Sequence, residues 1–211
     1  NMPHAIIAML AATSIGAIWS SCSPDFGIKG VLDRFGQIRP RVIFTADGYF
    51  FKGKKIDSLA RMANILKELR SIERVVVVPY TETAPDIRGI PNAVHWADFR
   101  AGQDGLQIQF EQLPFEHPLY IMYSSGTTGL PKCMVQSAGG ILVHHLKELM
   151  LHTNLSRSDT IFYFTTCGWM MWNWLTSSLA VGATLVLFDG NPFHPHPGAL
   201  WEMAQDEKVT V

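Results

Sequence analysis

Four consecutive valines, Val75–Val78, constrain the fold more than any other feature of this 211-residue sequence. The run RVVVVPY lacks the polar alternation of a strand with one solvated face, so it predicts a strand that is buried on both faces. The preceding segment, IDSLARMANILKELR, places apolar side chains at helical spacing and predicts an amphipathic helix. Because a strand buried on both faces must be covered by other elements, the two segments favour parallel strands covered by helices.

The same alternation of helical and strand patterns extends along the chain. Helices are predicted from about Pro3 to Ser14 and in KGVLDRFGQI, GGILVHHLKELML, MMWNWLTSSLAV and GALWEMAQD. Strands are predicted in AIWSS, RVIFTA, PLYIMYS, TIFYFTT, ATLVLFD and the final KVTV, and a hairpin is predicted in YFFKGKKI with its turn at Lys52-Gly53. The expected fold class is α/β, with alternating strands and helices and a mostly parallel sheet.

Composition changes near the middle of the chain. Residues 81–116 are richer in Pro, Gly and polar residues than the segments on either side, which predicts an irregular connection. The expected organisation is a first α/β portion at 1–80, this connection, and a second α/β portion at 117–211. Because both termini interrupt a pattern, we expect a fragment whose cut sheet edges favour oligomer formation.

Charge and composition exclude several classes of partner. The net charge is −1 and no long basic run occurs, so nucleic acid is not an expected partner. The apolar run Ala5–Leu10 is interrupted from Thr13 onward, too early for a membrane span. Three widely separated cysteines predict no disulfide framework and favour a reducing compartment, taken as the cytoplasm. They are Cys22, Cys133 and Cys167.

Histidines are the remaining candidates for metal ligands. His144 and His145 are adjacent on a predicted helix, where neighbouring side chains point about 100° apart. His194 and His196 follow in FHPHPG. No cysteine or carboxylate accompanies either pair at the spacing of a zinc site, so no metal site is predicted on these residues.

A loop of small residues follows the predicted strand PLYIMYS. Residues Ser124–Gly129 are all Ser, Gly or Thr, and Lys132 comes shortly after them. The backbone N–H groups and hydroxyls of such a loop can surround a phosphate, because no bulky side chain blocks its approach. The Walker pattern fails, since Pro131 stands where it needs Gly and Cys133 where it needs Ser or Thr. The loop therefore predicts a polyphosphate site of another kind, with a surface turn as the alternative.

The stretch YSSGTTGLPK resembles the phosphate-loop signature of the adenylate-forming superfamily, which includes the acyl-CoA synthetases. The resemblance continues in AIIAMLAATSIGAIWSSCSPDFG and in DTIFYFTTCGWMMWNWLTSSLAVGATLVLFDGNP, and so covers nearly the whole chain. It implies a partial N-terminal domain of the adenylate-forming fold. The C-terminal domain, and the family's segments for adenine, ribose and the adenylation lysine, are expected to lie outside this chain.

The resemblance implies a two-step reaction that uses ATP, Mg²⁺ and coenzyme A. A carboxylate attacks the α-phosphate of ATP to give an acyl-adenylate and pyrophosphate, and the CoA thiol then takes the acyl group. Lys132 and Thr128 are the implied catalytic residues. The implied contacts to the ATP phosphates are Ser124, Ser125, Gly126, Thr127, Thr128, Gly129 and Lys132.

The segment GWMMWNW implies the acyl substrate. Acetate-activating members of the family carry Gly-Trp followed by small residues, whereas this segment and SCSPDFG resemble the acetoacetate-activating branch. The implied substrate contacts are Trp169, Met170, Met171 and Asn173, the last through its amide and the β-keto oxygen. Apolar walls with conformable Met side chains suit a short carbon chain. Without the resemblance, core packing explains a Trp/Met cluster better, and Trp172 and Trp174 are expected in the core.

The hairpin KGKK forms a small basic tip, which includes Lys52, Lys54 and Lys55. The resemblance implies that Lys52 and Lys54 contact the CoA phosphates, although the family carries arginines there. A solvated turn is the alternative.

The overall expectation is an acetoacetate-activating ligase, of which the 211 residues alone are inactive. Three alternatives stay open. One is another short-chain acyl-CoA synthetase of the acetyl or propionyl type. The second is a non-catalytic nucleotide-binding fragment, and the third is a phosphotransferase with a true P-loop.

Overall fold

A computed structural model describes residues 1–102, 105–124 and 129–211. The α/β class is confirmed, because helices alternate with strands and most strand pairs are parallel. The chain divides into two compact units. The first unit is 1–23, 110–122 and 134–211, and the second unit is 24–109 and 123–133. The domain boundaries expected at 81 and 116 stay a prediction.

The regular elements are bounded as follows. The α-helices of the described residues are α1 Pro3–Ser14, α2 Ile28–Ile38, α3 Leu59–Glu68, α4 Trp96–Arg100, α5 Ala138–Lys147, α6 Met170–Thr176 and α7 Ala199–Asp206. The strands are β1 Trp19–Ser20, β2 Val42–Ala46, β3 Gly48–Phe51, β4 Lys54–Asp57, β5 Arg74–Val78, β6 Ala93–His95, β7 Pro118–Ser124, β8 Lys132–Ser137, β9 Thr160–Phe162 and β10 Thr184–Val186. A π-helical turn, Glu148–His152, continues α5, and a 3₁₀ turn, Ser177–Ala180, continues α6. Within the described ranges, no helix is long and apolar enough to cross a bilayer.

The second unit is built around β5. This strand lies between β2 and β6 in a parallel sheet, with Val75 opposite Ile43 on one side and Ala93 on the other. The side chains of Val75, Val76 and Val77 are 0% exposed, which confirms the predicted burial on both faces. Helices α2 and α3 pack on each other and bury the apolar stripe that their periodicity predicts.

The base of the β3–β4 hairpin is held by a buried carboxylate. Asp47 is 5% exposed and accepts hydrogen bonds from the backbone N–H groups of Tyr80, Thr81 and Glu82 and from the Thr81 hydroxyl. Burial alone would raise the pKa of Asp47, but the hydrogen bonds from Thr81, Tyr80 and Glu82 outweigh it and lower that pKa. The end of β2 is thereby joined to the segment that follows β5.

The hairpin turn lies where the sequence predicts it. Strands β3 and β4 pair antiparallel from Gly48 opposite Asp57 to Phe51 opposite Lys54. Lys52 and Gly53 both have positive φ, 50° and 75°. Two consecutive left-handed residues match the twist of the flanking strands in a two-residue hairpin.

Three elements of the structure have no counterpart in the local sequence patterns. Strand β8 lies between the small-residue loop and the predicted helix GGILVHHLKELML, in a stretch for which no element was predicted, and that helix is present as α5. Strand β6 and helix α4 lie within the connection expected to be irregular. Strand β6 exists through its pairing with β5, and Trp96 of α4 is buried with its ring 6.0 Å from that of Phe44. Their stabilising contacts come from distant residues, which a local pattern does not report.

The final segment KVTV was predicted to be a strand, and that prediction was wrong, although its last two residues hydrogen-bond to β9. The Phe162 N–H donates to the carbonyl of Val211, and the Thr160 carbonyl accepts from Thr210 and Val211. The backbone of these last residues is therefore satisfied along β9.

The first unit contains two apolar clusters. One cluster joins α1, β7 and α6 through Ile6, Met9, Tyr120 and Trp172. The other joins the π-helical turn, β9 and the end of α6 through Leu149, Leu155, Ile161, Leu175 and Ala183. Strand β7 lies between β1, to which it is parallel, and β8. Helix α6, which carries the predicted acyl-pocket segment, thus contributes side chains to both clusters.

A buried histidine lies next to these clusters. His145 of α5 is 2% exposed, and its Nδ1 lies 2.8 Å from the Ser177 hydroxyl, which donates to the carbonyl of Asn173. Because the hydroxyl has a single hydrogen, the His145 Nδ1–H is the donor of the first bond. Burial, with a further contribution from His144, lowers the pKa of His145 to about 4, although Glu148 opposes the shift.

Protonation of His145 is predicted to link stability to pH. The pKa falls from 6.5 in the unfolded chain to about 4 in the folded one. The unfolded state therefore binds more protons between these values, and this contribution to stability is lost as the pH falls. The expected loss is about 2 kcal/mol between pH 7 and pH 5. His145→Phe, in which Ser177 keeps its bond to Asn173, is expected to remove that part of the pH dependence in urea unfolding.

The control variant is His144→Gln, on an exposed neighbouring residue. It is expected to retain most of the pH dependence of the wild-type chain. Equal pH slopes for His145→Phe and the wild type would contradict a neutral buried imidazole.

Candidate functional site

The small-residue signature joins two hydrogen-bonded strands. Strand β7 ends at Ser124, and β8 begins at Lys132. Ser125, Gly126, Thr127 and Thr128, four of the predicted phosphate contacts, lie outside the described residues. The connection 125–131 is too short for a parallel crossover, so the two strands form a hairpin. A Walker loop leads into a helix N-terminus, which this connection does not, so the structure disfavours the P-loop alternative.

The described end of the signature has a backbone that favours glycine. Gly129 has a φ of +91°, in the left-handed region. A Cβ atom built there would meet no other atom within 4 Å, so the backbone and not steric space accounts for the glycine. Ser124 is half-buried at the end of β7, and Lys132 is exposed at the start of β8. The ammonium of Lys132 is therefore free to reach a ligand beside the hairpin connection.

Helix α2 contacts both flanks of the signature. The Arg34 guanidinium lies 5.7 Å from the centroid of the Tyr123 ring, one residue before Ser124. The Gln37 side-chain amide donates to the carbonyl of Pro131, at 2.9 Å and one residue before Lys132. No sequence pattern distinguishes Arg34 or Gln37 as a functional residue. Their i, i+3 spacing on an amphipathic helix is indistinguishable in sequence from an ordinary solvated face.

The predicted acyl-pocket residues differ in exposure. Trp169, which precedes the first residue of α6, is 61% exposed, and Met170 is 49% exposed. Met171 is half-buried, whereas Asn173 is 4% exposed. The exposed pair can meet a ligand from solvent, and Asn173 can meet one only from within the protein.

The amide of Asn173 has an unmatched polar atom. Its Oδ1 is buried and has no hydrogen-bond partner among the described residues. Buried polar atoms are nearly always paired, so an unpaired one is a candidate ligand contact. Rotation about χ2 exchanges the amide oxygen and nitrogen, so this position can present either an acceptor or an N–H donor. Its role toward a substrate stays a prediction.

The two flanking tryptophans belong to the core, as expected. Trp172 is 0% exposed and lies in the cluster with Ile6, Met9 and Tyr120. Trp174 packs against the cluster around Leu149, and its ring lies edge-on to that of Tyr163 at 6.0 Å.

The basic hairpin tip is solvated. Lys52, Lys54 and Lys55 are all exposed, and the Lys52 Nζ lies 5.5 Å from the centroid of the Phe51 ring. Lys55 forms an ion pair with Glu82. Over the ranges that the structure describes, neither Lys52 nor Lys54 is in an ion pair, so both charges are available to an anion.

The histidines form no metal centre in the described ranges. His145 is buried while His144 is exposed, and His196 lies 3.1 Å from the carboxylate of Glu202. In residues 1–102, 105–124 and 129–211, no three His, Cys, Asp or Glu side chains group so as to hold a metal ion.

Known proteins resemble this chain over its whole length. Residues 1–211 match the family described as AMP-binding enzyme. The chain is 54% identical over 216 residues to the acetoacetyl-CoA synthetase of Gallus gallus and 53% identical over 215 residues to the acetoacetyl-coenzyme A synthetase of Rhizobium meliloti (strain 1021). Each alignment covers 100% of this chain and 32% of the relative.

A solved structure shares the fold. The acetoacetyl-CoA synthetase from Streptomyces lividans superposes with a TM-score of 0.93 at 45% sequence identity. That superposition covers 100% of this chain and 32% of the other. The chain therefore spans about a third of the length of the relatives that it matches.

Proposed function

The chain belongs to the AMP-binding enzyme family, and on that premise we propose that it is part of an acetoacetate–CoA ligase that forms AMP. The family expected from the signature is confirmed. Because the chain spans 32% of its relatives, the proposal concerns a parent polypeptide, meaning a chain of the relatives' length that contains this segment. The 211 residues alone are proposed to be inactive.

The proposed reaction has two steps. A carboxylate oxygen of acetoacetate bonds to the α-phosphorus of ATP, and the bond to the bridging oxygen breaks to release pyrophosphate. The CoA sulfur, as thiolate, then attacks the acyl carbon, and AMP leaves with the electrons of the acyl–oxygen bond. Both steps place negative charge on phosphate oxygens, so donors and cations aimed at those oxygens supply the catalysis.

The observation that carries the proposal is the signature between β7 and β8. Ser124 ends β7 and Lys132 begins β8, at the two ends of the short connection that carries the signature, which supports the proposal that both contact a phosphate bound there. Gly129, at the described end of the connection, has a left-handed backbone with a φ of +91°. Lys132 is proposed to neutralise charge on the outer phosphates, with Thr128 adding a hydroxyl donor. The remaining proposed phosphate contacts are Ser124, Ser125, Gly126, Thr127 and Gly129.

Magnesium is proposed to accompany ATP, where it would supply positive charge to the phosphates. The described residues hold no cluster of three side chains that could ligate a metal ion. No residue of those ranges is therefore assigned to Mg²⁺, and no step is derived through it.

Acetoacetate is proposed as the acyl substrate because a short β-keto acid needs an apolar wall and one polar contact. The exposed side chains of Trp169 and Met170, with the half-buried Met171, supply the apolar surface. The buried amide of Asn173 supplies a polar position that the described residues leave unpaired.

CoA is proposed to contact the hairpin tip. The nucleotide end of CoA carries several phosphate charges, and the ammonium groups of Lys52 and Lys54 are exposed and outside the described ion pairs. Lys52 lies in the left-handed turn and Lys54 begins β4, so both residues are at the tip of the hairpin. A cytoplasmic location, oligomer formation through sheet edges and the domain boundaries stay predictions.

Carboxylate-dependent ATP–pyrophosphate exchange by the parent polypeptide tests the first step. Acetoacetate is expected to support faster exchange than acetate or butyrate. Lys132→Ala is expected to lower the exchange rate about a hundredfold, because a cation that faces developing phosphate charge is lost. Thr128→Val is expected to lower it as well, with carboxylate binding less affected in both variants.

The control is Lys67→Ala, which removes an exposed lysine of α3. Faster exchange with acetate or propionate than with acetoacetate would favour another short-chain synthetase. An absence of any carboxylate-dependent exchange would contradict the proposed ligase.

Asn173→Ala tests the polar contact to the β-keto oxygen. The ratio of kcat/KM for acetoacetate to that for butyrate, which lacks the keto oxygen, is expected to fall about tenfold. One lost hydrogen bond to a buried polar group has about that effect. Thr176→Val, a buried position one turn further along α6, is the matched control. An unchanged ratio in Asn173→Ala would assign the amide to folding alone.

Lys52→Ala and Lys54→Ala test the CoA contact. The KM for CoA in acetoacetyl-CoA formation is expected to rise severalfold, because each exposed ion pair is weak. The increase is expected to shrink at high salt, since screening weakens the wild-type contact as well. Lys67→Ala again serves as the control, and a KM for CoA equal to the wild-type value in the double variant would exclude the hairpin tip.

A further inference from the structure

Helix α2 and the flanks of the signature belong to the same compact unit. The second unit consists of 24–109 together with 123–133, and so contains α2 and both ends of the connection between β7 and β8. A site for a triphosphate must hold its donors in fixed positions, because misplacement by about an ångström costs catalysis heavily. The contacts that α2 makes at these flanks are therefore relevant to catalysis.

The Arg34 guanidinium is held on three sides. Its carbon lies 4.3 Å from the centroid of the Phe26 ring and 5.7 Å from that of Tyr123. Its Nη1 donates to the carbonyl of Gly30 at 2.8 Å, one turn earlier in α2. A planar guanidinium can stack on aromatic rings and still donate in its own plane, which an ammonium cannot do. Arg34 thus connects the residue that precedes Ser124 to the backbone of α2.

Gln37 holds the opposite flank. Its amide nitrogen donates to the carbonyl of Pro131 at 2.9 Å and to that of Asp33 at 2.6 Å. Proline has no N–H, so its carbonyl is the one backbone hydrogen-bonding group through which Pro131 can be anchored. Pro131 precedes Lys132, so this bond limits where the lysine side chain can begin.

We infer that Arg34 and Gln37 are positioning residues for the phosphate site. Arg34 places Tyr123 and Gln37 places Pro131, so α2 sets the separation between the two ends of the connection. Neither side chain needs to touch the nucleotide. This inference rests on the proposed function for its catalytic consequence, but its structural content concerns only the described flanks.

The test uses Arg34→Met, Gln37→Met and Arg34→Lys in the parent polypeptide. The exchange rate is expected to fall about tenfold and the KM for ATP to rise, while the KM for acetoacetate stays unchanged. Arg34→Lys is expected to behave as Arg34→Met does, because it keeps the charge but loses the planar stack. The control is Lys29→Met on the same helix, whose ammonium contacts only Asp33 among the described side chains.

A second measurement tests the positioning role without depending on enzymatic activity. Hydrogen exchange of the backbone N–H groups in 129–133 is expected to be about tenfold faster in Gln37→Met than in the wild type or in Lys29→Met. Gln37 is exposed, so this variant is expected to fold even where Arg34→Met does not.

The possible outcomes distinguish a failure of the proposed ligase function from a failure of the positioning role. A wild-type parent without acetoacetate-dependent exchange defeats the proposed function, and the positioning role is then decided by the hydrogen exchange of 129–133. Unchanged hydrogen exchange in Gln37→Met overturns the inference. Equal rises in the KM values for ATP and acetoacetate, accompanied by a lower unfolding midpoint, also overturn it, because they indicate general destabilisation.

Discussion

Burial of β5 on both faces is the constraint on which the second unit depends. A strand without a solvated face must pair along both edges and be covered by apolar side chains from other elements. The partners β2 and β6 and the helices of this unit meet that requirement. The Asp47 carboxylate then ties the end of β2 to the segment after β5, so the hairpin begins from a fixed point. Four buried valines and one buried carboxylate thus organise the contacts of this unit.

The proposed phosphate site combines a permissive connection with firm ends. Small residues let a phosphate approach the backbone closely. The described contacts that can set the geometry lie at the flanks. Arg34 and Gln37 hold Tyr123 and Pro131 from one helix, and β7 and β8 hold each other by backbone hydrogen bonds. The connection is proposed to supply the donors to the phosphates, and its neighbours position its two ends.

Helix α6 divides its side chains between two tasks. Trp172 and Leu175 are fully buried in the two apolar clusters, while Trp169 and Met170 remain exposed before and at the first turn. Asn173 lies with the buried set but carries the unpaired amide atom. A core that fixes the helix therefore also fixes the direction in which the proposed pocket residues face.

The local sequence determined the elements that depend on nearby residues or on a periodic spacing of apolar side chains. Side-chain spacing predicts the buried valine strand and the amphipathic helices, and backbone preference predicts the Lys52-Gly53 turn. The small size of its residues marks the phosphate-loop signature. Tertiary structure decided what depends on distant partners. Strand β8, which no local pattern predicted, formed because β7 offers an edge, and β6 formed on β5. Tertiary structure likewise decided which residues Arg34 and Gln37 contact. It also decided that Trp169 is exposed while Asn173 is buried. A local pattern reports which face of an element is apolar, but it does not report which other element that face or edge will meet.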